Sequence, residues 1–555
     1  MPDQSVINAL FPQDLPEPSD CRRRYPSRGL PAGAEVTRFA PSPTGVLHIG
    51  GLYTAAVSHA LARQTGGVHL LRVEDTDQSR EVAGAAQSFV RLLRAFDLSP
   101  DEGPGAGEPS GGSGGWGPYL QSERREIYLS HVRDLLRRGV AYLCFCAKDR
   151  LAANAEAQRA SRSPLGYYGK WAACRSLPDD EVARRLADGS PYVVRFRCPH
   201  EFPGRVRFED EIRGPVVMQD NGNDVVLLKS SGEPGPLPLP TYHLAHVVDD
   251  SLMGVTLVVR GEEWLSSTPL HLQLHTALGF AVPRYAHLAP LMKTEGSSRR
   301  KLSKRKDPEA SVEFYLATGY PPRAVRHYLY GLANARLMDV PTARAAGAPV
   351  RIGEMRPSGP LVDLPKLNQI SREHIAALTT QEVSAQLTAW AAAHDIELHG
   401  ALTRDPPRTH RAVAVVQGPG TRPRKDLTRW SEFRDRFGFL LPDSAPPRPA
   451  AEDERFGGLD PALVRRIVGD FAAGYQHTDD ATDWIGQLRV VAELHGFAPA
   501  NAVWRQDPTR YAGPPSQVAN VVRVCLTGAK RSPDLFAVAQ CLGKEEVRAR
   551  LTLLP

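Results

Sequence analysis

The sequence predicts an α/β fold in which an open sheet is interrupted by an inserted α+β domain and followed by an all-helical region. Near the start, short apolar strands alternate with helices, as in a largely parallel sheet. Between residues 141 and 238 this alternation gives way to several strands in succession. Beyond residue 301 the apolar residues recur at helical spacing.

Length and composition favour a globular chain of several domains. The chain has 555 residues, of which 42% are hydrophobic, and a net charge of +6. No apolar run approaches the length that crosses a bilayer, and seven cysteines without regular spacing favour a reducing compartment. We therefore expect a cytoplasmic protein with no membrane partner. The proline-rich residues 1–35 are expected to form a disordered leader.

The first predicted strand, residues 36–40, leads through a Pro/Ser/Gly turn into a helix over residues 52–64. Such a turn gathers unpaired backbone N–H groups at a helix N-terminus, which suits a phosphate. His48, just before Ile-Gly-Gly51, adds an imidazole beside them. The run is neither a dinucleotide fingerprint nor a P-loop, and an ordinary βα turn remains the alternative.

A second predicted strand, residues 68–73, ends in the acidic run that starts at Glu74. Carboxylates at the carboxyl end of a strand lie where open α/β sheets bind ligands. Asp75 or Asp77 alternatively caps the next helix. The glycine-rich residues 103–117 are expected to form a flexible connection.

Three cysteines in the predicted insertion, Cys144, Cys146 and Cys174, are possible zinc ligands. A structural zinc site needs a fourth ligand, for which Tyr168 and His200 are the candidates. Without one, buried packing of the three thiols is the favoured interpretation.

Residues 239–250 are expected to return to the sheet edge, and residues 257–260 form another strand that ends at Arg260. An arginine that closes an apolar strand is costly to bury unless it meets an anion. That anion is either a bound ligand or an internal carboxylate, Glu262 or Glu263.

The basic run of residues 299–306 indicates a solvated loop or a nucleic-acid contact. In the helical region, Thr379 and Glu382 form a predicted capping box. Residues 425–439 interleave aromatic and basic side chains, which suits either stacked bases or core packing.

Two of these stretches resemble the signatures of class I aminoacyl-tRNA synthetases. His48-Ile-Gly-Gly51 is similar to the signature His-Ile-Gly-His, and Lys301-Leu-Ser-Lys-Arg305 is similar to Lys-Met-Ser-Lys-Ser. The preceding run from Arg38, Arg-Phe-Ala-Pro-Ser-Pro-Thr-Gly, resembles bacterial-type glutamyl-tRNA synthetases. The likeness extends over nearly everything after residue 36.

The resemblance implies a Rossmann-like catalytic domain in two halves, residues 36–140 and 239–300. The insertion at 141–238 would receive the acceptor end of tRNA, residues 301–378 would carry the signature loop and a stem-contact domain, and residues 379–555 would bind the anticodon. The implied reaction ligates L-glutamate to tRNA(Glu) through a glutamyl-adenylate, with ATP as substrate and Mg²⁺ as cofactor. Family members are usually monomers.

The resemblance also implies three sets of site residues. The catalytic residues are His48, Lys301 and Lys304. Glutamate is bound by Arg38, Ala40, Ser42, Glu74, Tyr242, His246 and Arg260, although several relatives carry asparagine at the position of His246. ATP is bound by Thr44, His48, Gly50, Gly51, Glu263, Lys301, Leu302, Ser303 and Lys304.

Two other functions remain open at this point. Enzymes that glutamylate a modified tRNA base resemble the catalytic half but lack the helical C-terminal region, which this chain has. A catalytically weak or specialised paralogue would bind tRNA and glutamate for regulation, or supply Glu-tRNA to a specialised pathway.

Overall fold

The computed structural model describes residues 4–105, 115–200, 204–229, 238–345, 347–418 and 423–554. The chain forms two compact units, Met1–Phe314 with Arg326–Asp363, and Tyr315–Val325 with Leu364–Pro555. The centre of the predicted glycine-rich connection, residues 106–114, lies outside the described residues. In the described part of the chain, no helix has the length and apolar character needed to span a membrane.

Strands occur between residues 36 and 301, and helices follow in the rest of the chain. The strands are β1 (Val36–Phe39), β2 (Val68–Leu71), β3 (Ala141–Cys144), β4 (Val193–Phe196), β5 (Arg205–Asp210), β6 (Gly214–Gln219), β7 (Val226–Leu228), β8 (Leu257–Gly261), β9 (Arg284–Leu288), β10 (Met292–Glu295) and β11 (Ser298–Lys301). The helices up to residue 345 are α1 (Gln4–Ala9), α2 (Pro18–Arg24), α3 (Ile49–Gln64), α4 (Ala85–Ala95), α5 (Arg125–Arg137), α6 (Lys148–Ala160), α7 (Asp179–Ala187), α8 (Tyr242–Leu252), α9 (Thr268–Leu278), α10 (Val312–Ala317), α11 (Pro322–Ala333) and α12 (Thr342–Ala345). The later helices are α13 (Leu364–Ala377), α14 (Thr380–His394), α15 (Ile396–Arg404), α16 (Pro406–Gln417), α17 (Glu432–Phe437), α18 (Pro461–Gly474), α19 (Ala481–Leu494), α20 (Asn501–Gln506), α21 (Pro515–Thr527), α22 (Leu535–Leu542) and α23 (Lys544–Arg550).

Parallel strands form the centre of the first unit. β1 pairs in parallel with β2, and β8 pairs in parallel with β9. The backbone N–H of Thr256 donates to the carbonyl of Val36 at 3.0 Å, which places the start of β8 beside β1. The carboxyl ends of these four strands therefore meet at one edge, where open α/β sheets bind their ligands. The predicted α/β fold is confirmed.

The predicted insertion is linked to the sheet that it interrupts. β3, β4 and β7 form an antiparallel sheet of their own. The hairpin β5–β6 instead extends the sheet of β8 and β9, because β5 pairs in parallel with β9 at Asp210 and Tyr285. The insertion thus contributes two strands to the sheet of β8 and β9.

The prediction of a disordered leader over residues 1–35 is wrong for the described residues. α1 and α2 lie in this segment, and its buried apolar side chains join the core formed by α5, α8 and α9. These side chains are Ile7, Phe11, Leu15, Cys21 and Tyr25. The prolines suggested disorder, but Pro18 occupies the first turn of α2, where the missing N–H costs nothing.

Residues 239–250 return to the sheet edge, where most of them form α8. Eight of the eleven residues of α8 are buried. A helix that is buried on nearly all sides lacks the one-sided apolar stripe by which a helix is recognised in a sequence.

The second unit is helical, as predicted, and consists of Tyr315–Val325 and Leu364–Pro555, so its boundaries fall inside the segment 301–378 that the sequence assigned to one domain. The predicted capping box is present, with the Thr379 side chain accepting from the Glu382 backbone N–H. The aromatic residues of segment 425–439 are buried in the core: Trp430, Phe433, Phe437 and Phe439. Their role is therefore packing rather than base stacking.

Candidate functional site

A cavity of about 520 Å³ opens at the carboxyl edge of the parallel sheet. Its walls come from the ends of β1, β8 and β9, from the turn before α3 and from the loop after β11. Most predicted site residues line it: Arg38, Ala40, Ser42, Thr44, His48, Gly50, Gly51, Glu74, Tyr242, Arg260, Glu263, Lys301 and Lys304. Leu302, Ser303 and His246 are not among its lining residues.

His48 is the N-cap residue of α3. Its Nδ1 accepts a hydrogen bond from the Gly50 backbone N–H at 2.9 Å. An accepting Nδ1 requires the tautomer that carries its proton on Nε2, so Nε2–H is the donor that the ring offers. Burial lowers the pKa of His48, and Lys304 and Lys301 lower it further. The imidazole is therefore a neutral donor beside the positive end of a helix.

Gly51 occupies the fourth position of the first signature, where a side chain would press against the end of Leu47. A Cβ atom would lie 2.9 Å from Cδ1 of Leu47 and 3.5 Å from Cζ of Phe39. The glycine thus keeps the first turn of α3 close to the end of β1.

The second signature lies in the loop that follows the hairpin β10–β11. Asp307 organises this loop by accepting two hydrogen bonds from Arg300 (2.6 and 2.8 Å) and one from the Ser303 backbone N–H (2.9 Å). Leu302 is buried and anchors the loop. Lys304 is exposed, and its ammonium donates to the Val46 carbonyl in the turn before α3. The loop thereby brings two lysines to the same end of the cavity as His48.

A buried ion network forms the floor of the cavity. Asp250 lies 3.3 Å from Nε of Arg38 and 2.6 Å from Nη1 of Arg72. Arg72 also donates to Glu74 at 3.2 Å. Burial alone would raise the pKa of Asp250, but the two arginines hold it below its usual value. Asp250 therefore remains an anion that fixes both guanidinium groups.

Glu74 is the carboxylate of this network that reaches the cavity. Burial raises its pKa to about 7, although Arg72 and Arg38 oppose the shift. It is thus an anionic group aimed at the cavity whose charge changes near neutral pH.

Arg260 does not pair with Glu262 or Glu263, the alternative that the sequence left open. Glu262 pairs with Arg213 instead. The guanidinium of Arg260 is surrounded by His246, His271, His287 and Thr268. Among the described residues, no carboxylate oxygen lies within salt-bridge distance of it.

Aromatic rings form the wall beside Arg260. The ring of Tyr242 lies 4.3 Å from that of Trp264 and stacks on His246 at 5.3 Å. Burial raises the pKa of Tyr242 to about 12, so its hydroxyl remains a neutral donor. His246 lies behind this wall and contacts the site through Arg260 and Asp250.

The three predicted zinc ligands do come together. The Sγ atoms of Cys144, Cys146 and Cys174 lie within 4.8 Å of one another. The predicted fourth ligands were wrong: Tyr168 bonds to the Pro164 carbonyl and His200 to Asp220. The Tyr167 hydroxyl lies 3.3 Å from Cys144 Sγ and 3.2 Å from Cys146 Sγ. The three thiols thus form one compact cluster with the Tyr167 hydroxyl beside two of them, whereas a tetrahedral zinc site requires four ligands.

Sequence reasoning missed the residues that support the site from behind. Arg72 could have been found from the sequence, because it is a cation within a predicted apolar strand. The same argument identified Arg260. Asp249 and Asp250 follow an apolar run, and Asp249 pairs with Arg124 at 2.7 Å. His271 carried no such signal, because a single histidine on a helix does not reveal its partner.

Comparison with known proteins agrees with this geometry. A family model described as the catalytic domain of class I tRNA synthetases (E and Q) matches residues 35–336, and an anticodon-binding domain model matches residues 514–554. The chain is 38% identical over 552 residues to a glutamate–tRNA ligase of Clostridium perfringens strain 13, covering 99% of this chain and 100% of that protein. It is 35% identical to one of Thermus thermophilus, with 93% and 98% covered. The crystal structure of a glutamate tRNA ligase from Elizabethkingia meningosepticum in complex with its amino acid superposes with a TM-score of 0.75 at 26% identity, covering 93% of this chain and 98% of that one.

Proposed function

The chain belongs to the glutamate–tRNA ligases, a family of class I aminoacyl-tRNA synthetases, and from this premise we propose that L-glutamate and ATP react in the cavity at the sheet edge. The chain catalyses the ATP-dependent ligation of glutamate to tRNA. One observation supports this assignment: a single cavity is lined both by His48, Lys301 and Lys304, which we assign to the ATP phosphates, and by Arg38 and Arg260, which we assign to the glutamate carboxylates.

At the phosphate-binding end, the N-terminal backbone groups of α3 and the Nε2–H of His48 bind phosphate oxygens of ATP. Lys301 and Lys304 place positive charge where charge accumulates as pyrophosphate departs. ATP enters as its magnesium complex.

At the acid-binding end, Arg38 and Arg260 bind the carboxylates of glutamate, since a planar guanidinium matches carboxylate geometry. Glu74 binds the ammonium group. The Asp250 carboxylate holds Arg38 in place from behind.

The reaction then proceeds in two transfers. The α-carboxylate oxygen attacks the α-phosphorus, a P–O bond forms, and the bond to the β-phosphate breaks to release pyrophosphate. A hydroxyl of the terminal tRNA adenosine next attacks the activated carbonyl carbon, and AMP leaves with the bonding electron pair. The 2′-hydroxyl is the acceptor that class I membership implies.

The remaining parts of the chain take the roles that the family implies. We assign acceptor-end binding to the insertion and anticodon binding to the helical unit, with tRNA(Glu) as the substrate and a cytoplasmic monomer as the working form. The relatives reported above carry the name of the ligase, which favours the enzyme over a regulatory paralogue. The helical unit disfavours an enzyme that modifies a tRNA base.

The proposed function is tested by incorporation of radiolabelled glutamate into purified tRNA. We expect ATP-dependent label on tRNA(Glu), and a parallel reaction with tRNA(Gln) measures discrimination. Unlabelled glutamine serves as the competing amino acid. Folded protein that binds tRNA but incorporates no label on either tRNA would refute the proposal.

The raised pKa of Glu74 predicts a pH-dependent KM for glutamate. Only the ionised carboxylate attracts the substrate ammonium, and with a pKa of about 7 that form is lost as the pH falls through neutrality. The KM for glutamate should be about tenfold higher at pH 6 than at pH 8. Aminoacylation kinetics across this range measure it, with the KM for ATP as internal reference. A Glu74→Gln variant should show a high KM that no longer changes with pH, and a flat wild-type profile would contradict the assignment.

We further propose that Cys144, Cys146, Cys174 and Tyr167 bind a structural zinc ion that closes the segment following β3. Such an ion would tie β3 to the loop that carries Cys174. Metal analysis of the purified protein should give about one zinc per chain, as one closed tetrahedral site requires. Cys174→Ser should abolish this zinc, whereas Cys198→Ser, at a buried thiol outside the cluster, should retain it. A wild-type protein that takes up no zinc when supplied with it would overturn the proposal.

A further inference from the structure

The Arg260 guanidinium is held only by neutral groups. Its Nε donates to Nε2 of His287 at 3.0 Å, and its Nη1 lies 3.1 Å from Nδ1 of His271 and 3.4 Å from Nε2 of His246. Its Nη2 donates to the hydroxyl of Thr268 at 2.9 Å and to the carbonyl of Trp264 at 3.4 Å. All five N–H groups therefore meet acceptors that carry no charge.

The arginine fixes the tautomers of the surrounding imidazoles. A guanidinium only donates, so each ring nitrogen that faces it must accept and be unprotonated. The proton of His271 therefore lies on Nε2, which is 3.1 Å from Nδ1 of His243. The proton of His287 lies on Nδ1, 2.6 Å from the Asp210 carboxylate. Burial and neighbouring arginines keep the pKa values of His246 and His271 well below the usual histidine range, so both rings are neutral.

The two longest contacts belong to different terminal nitrogens. Nη1 reaches His246 and Nη2 reaches the Trp264 carbonyl, each at 3.4 Å, while both nitrogens also make a shorter bond. One N–H on each terminal nitrogen is thus weakly bound. A carboxylate that accepts from both of these groups would have the parallel, two-bond geometry that arginine favours. Arg260 and Trp264 both line the cavity.

Arg38 differs from Arg260 in its counter-ion. The Arg38 guanidinium already contacts Asp250, whereas buried Arg260 has no described carboxylate in direct contact; Asp250 and Asp210 reach it only through His246 and His287. A buried cation without a counter-ion is stabilised by a ligand that carries a negative charge. A carboxamide of the same shape would supply no such charge.

We infer that His246, His271, His287 and Thr268 are positioning residues that hold Arg260 as a cation with no described carboxylate in direct contact, and that this arrangement selects the side-chain carboxylate of glutamate over the carboxamide of glutamine. The inference rests on the proposed function, in which Arg260 binds a substrate carboxylate. It adds that the neutrality of the surrounding acceptors, rather than the arginine alone, determines the selectivity.

The test compares two variants of one residue that differ in charge and hardly in shape. His271→Gln keeps a neutral acceptor near Arg260, whereas His271→Glu supplies an internal counter-ion. We expect the KM for glutamate to be roughly 30-fold higher in His271→Glu than in His271→Gln, because the substrate must then compete with a built-in carboxylate. The KM for ATP and the inhibition constant of glutamine should differ little between the two variants. A merely structural role would change all three constants in both variants alike.

A second pair of variants, at position 268, keeps the test valid if the variants at position 271 do not fold. Thr268 opens α9, where an acidic residue is compatible with the helix dipole, so Thr268→Asp is compared with Thr268→Asn. We expect the KM for glutamate to be higher in Thr268→Asp than in Thr268→Asn by a similar factor. Wild-type enzyme that charges tRNA, together with matched variants that bind glutamate equally, would overturn this inference and leave the proposed function standing. Failure of the wild-type enzyme to charge any tRNA would refute the proposed function itself.

Discussion

Replacement of Lys304 with alanine is expected to lower the rate of glutamate activation by about 10²–10³-fold, the loss that follows removal of one well-placed group from a site of developing charge. The physical reason is position: the Lys304 ammonium lies against the Val46 carbonyl, at the mouth of the cavity that His48 and Lys301 also line. Because its contribution grows as the pyrophosphate charge develops, kcat should fall while the KM for glutamate stays within about threefold.

The measurement is ATP–pyrophosphate exchange in the presence of tRNA(Glu), followed by aminoacylation. Lys306→Ala is the matched control, since Lys306 is an exposed lysine of the same loop that does not line the cavity. Equal losses in the two variants would mean that the loop acts through its overall charge. Full activity in Lys304→Ala would remove this lysine from the catalytic residues.

Asp250→Asn is expected to destabilise the catalytic unit by about 3–5 kcal/mol, the usual cost of leaving a buried charge without its partner. Asp250 is fully buried and is the shared counter-ion of Arg38 and Arg72. Asparagine preserves the shape of the side chain and removes its charge, so the two arginines would face each other across a neutral amide. The loss should appear as an earlier unfolding transition in urea.

Because the chain has two compact units, the transition must be assigned to the catalytic unit, for example by loss of glutamate-dependent protection from proteolysis. Glu181→Gln is the control: it breaks an ion pair between the exposed Arg184 and Glu181 and should leave the transition unchanged. If the urea midpoint of Asp250→Asn equalled that of the wild type, the charge of Asp250 would not contribute to the stability of the catalytic unit.

The sequence predicted those parts of the site that depend on local order along the chain. The turn at His48 and the carboxylate at Glu74 follow strands directly, and strand ends converge at one edge of a parallel sheet. Arg260 was found for the same reason. The fold class followed from the spacing of apolar residues along the chain. This spacing is visible in the sequence wherever one face of a helix or strand is exposed to solvent.

What the sequence could not predict depends on contacts between distant segments. His271 reaches Arg260 from α9, and Asp210 reaches His287 from the insertion. The tyrosine that contacts the cysteine cluster is Tyr167 and not the neighbouring Tyr168, because the backbone directs only the first of the two toward the thiols. The error over residues 1–35 arose because proline content was weighed above the spaced apolar residues that form the buried anchors.

The packing of these first residues also affects how the protein is made. The apolar side chains of α1 and α2 are buried against α5, α8 and α9, and α9 ends at Leu278. A ribosome that adds about 5–20 residues per second needs on the order of 10–50 s to extend the chain from the leader to that helix. Throughout that interval the N-terminal segment of the nascent chain has only part of its final partners, because α5 is made well before α8 and α9.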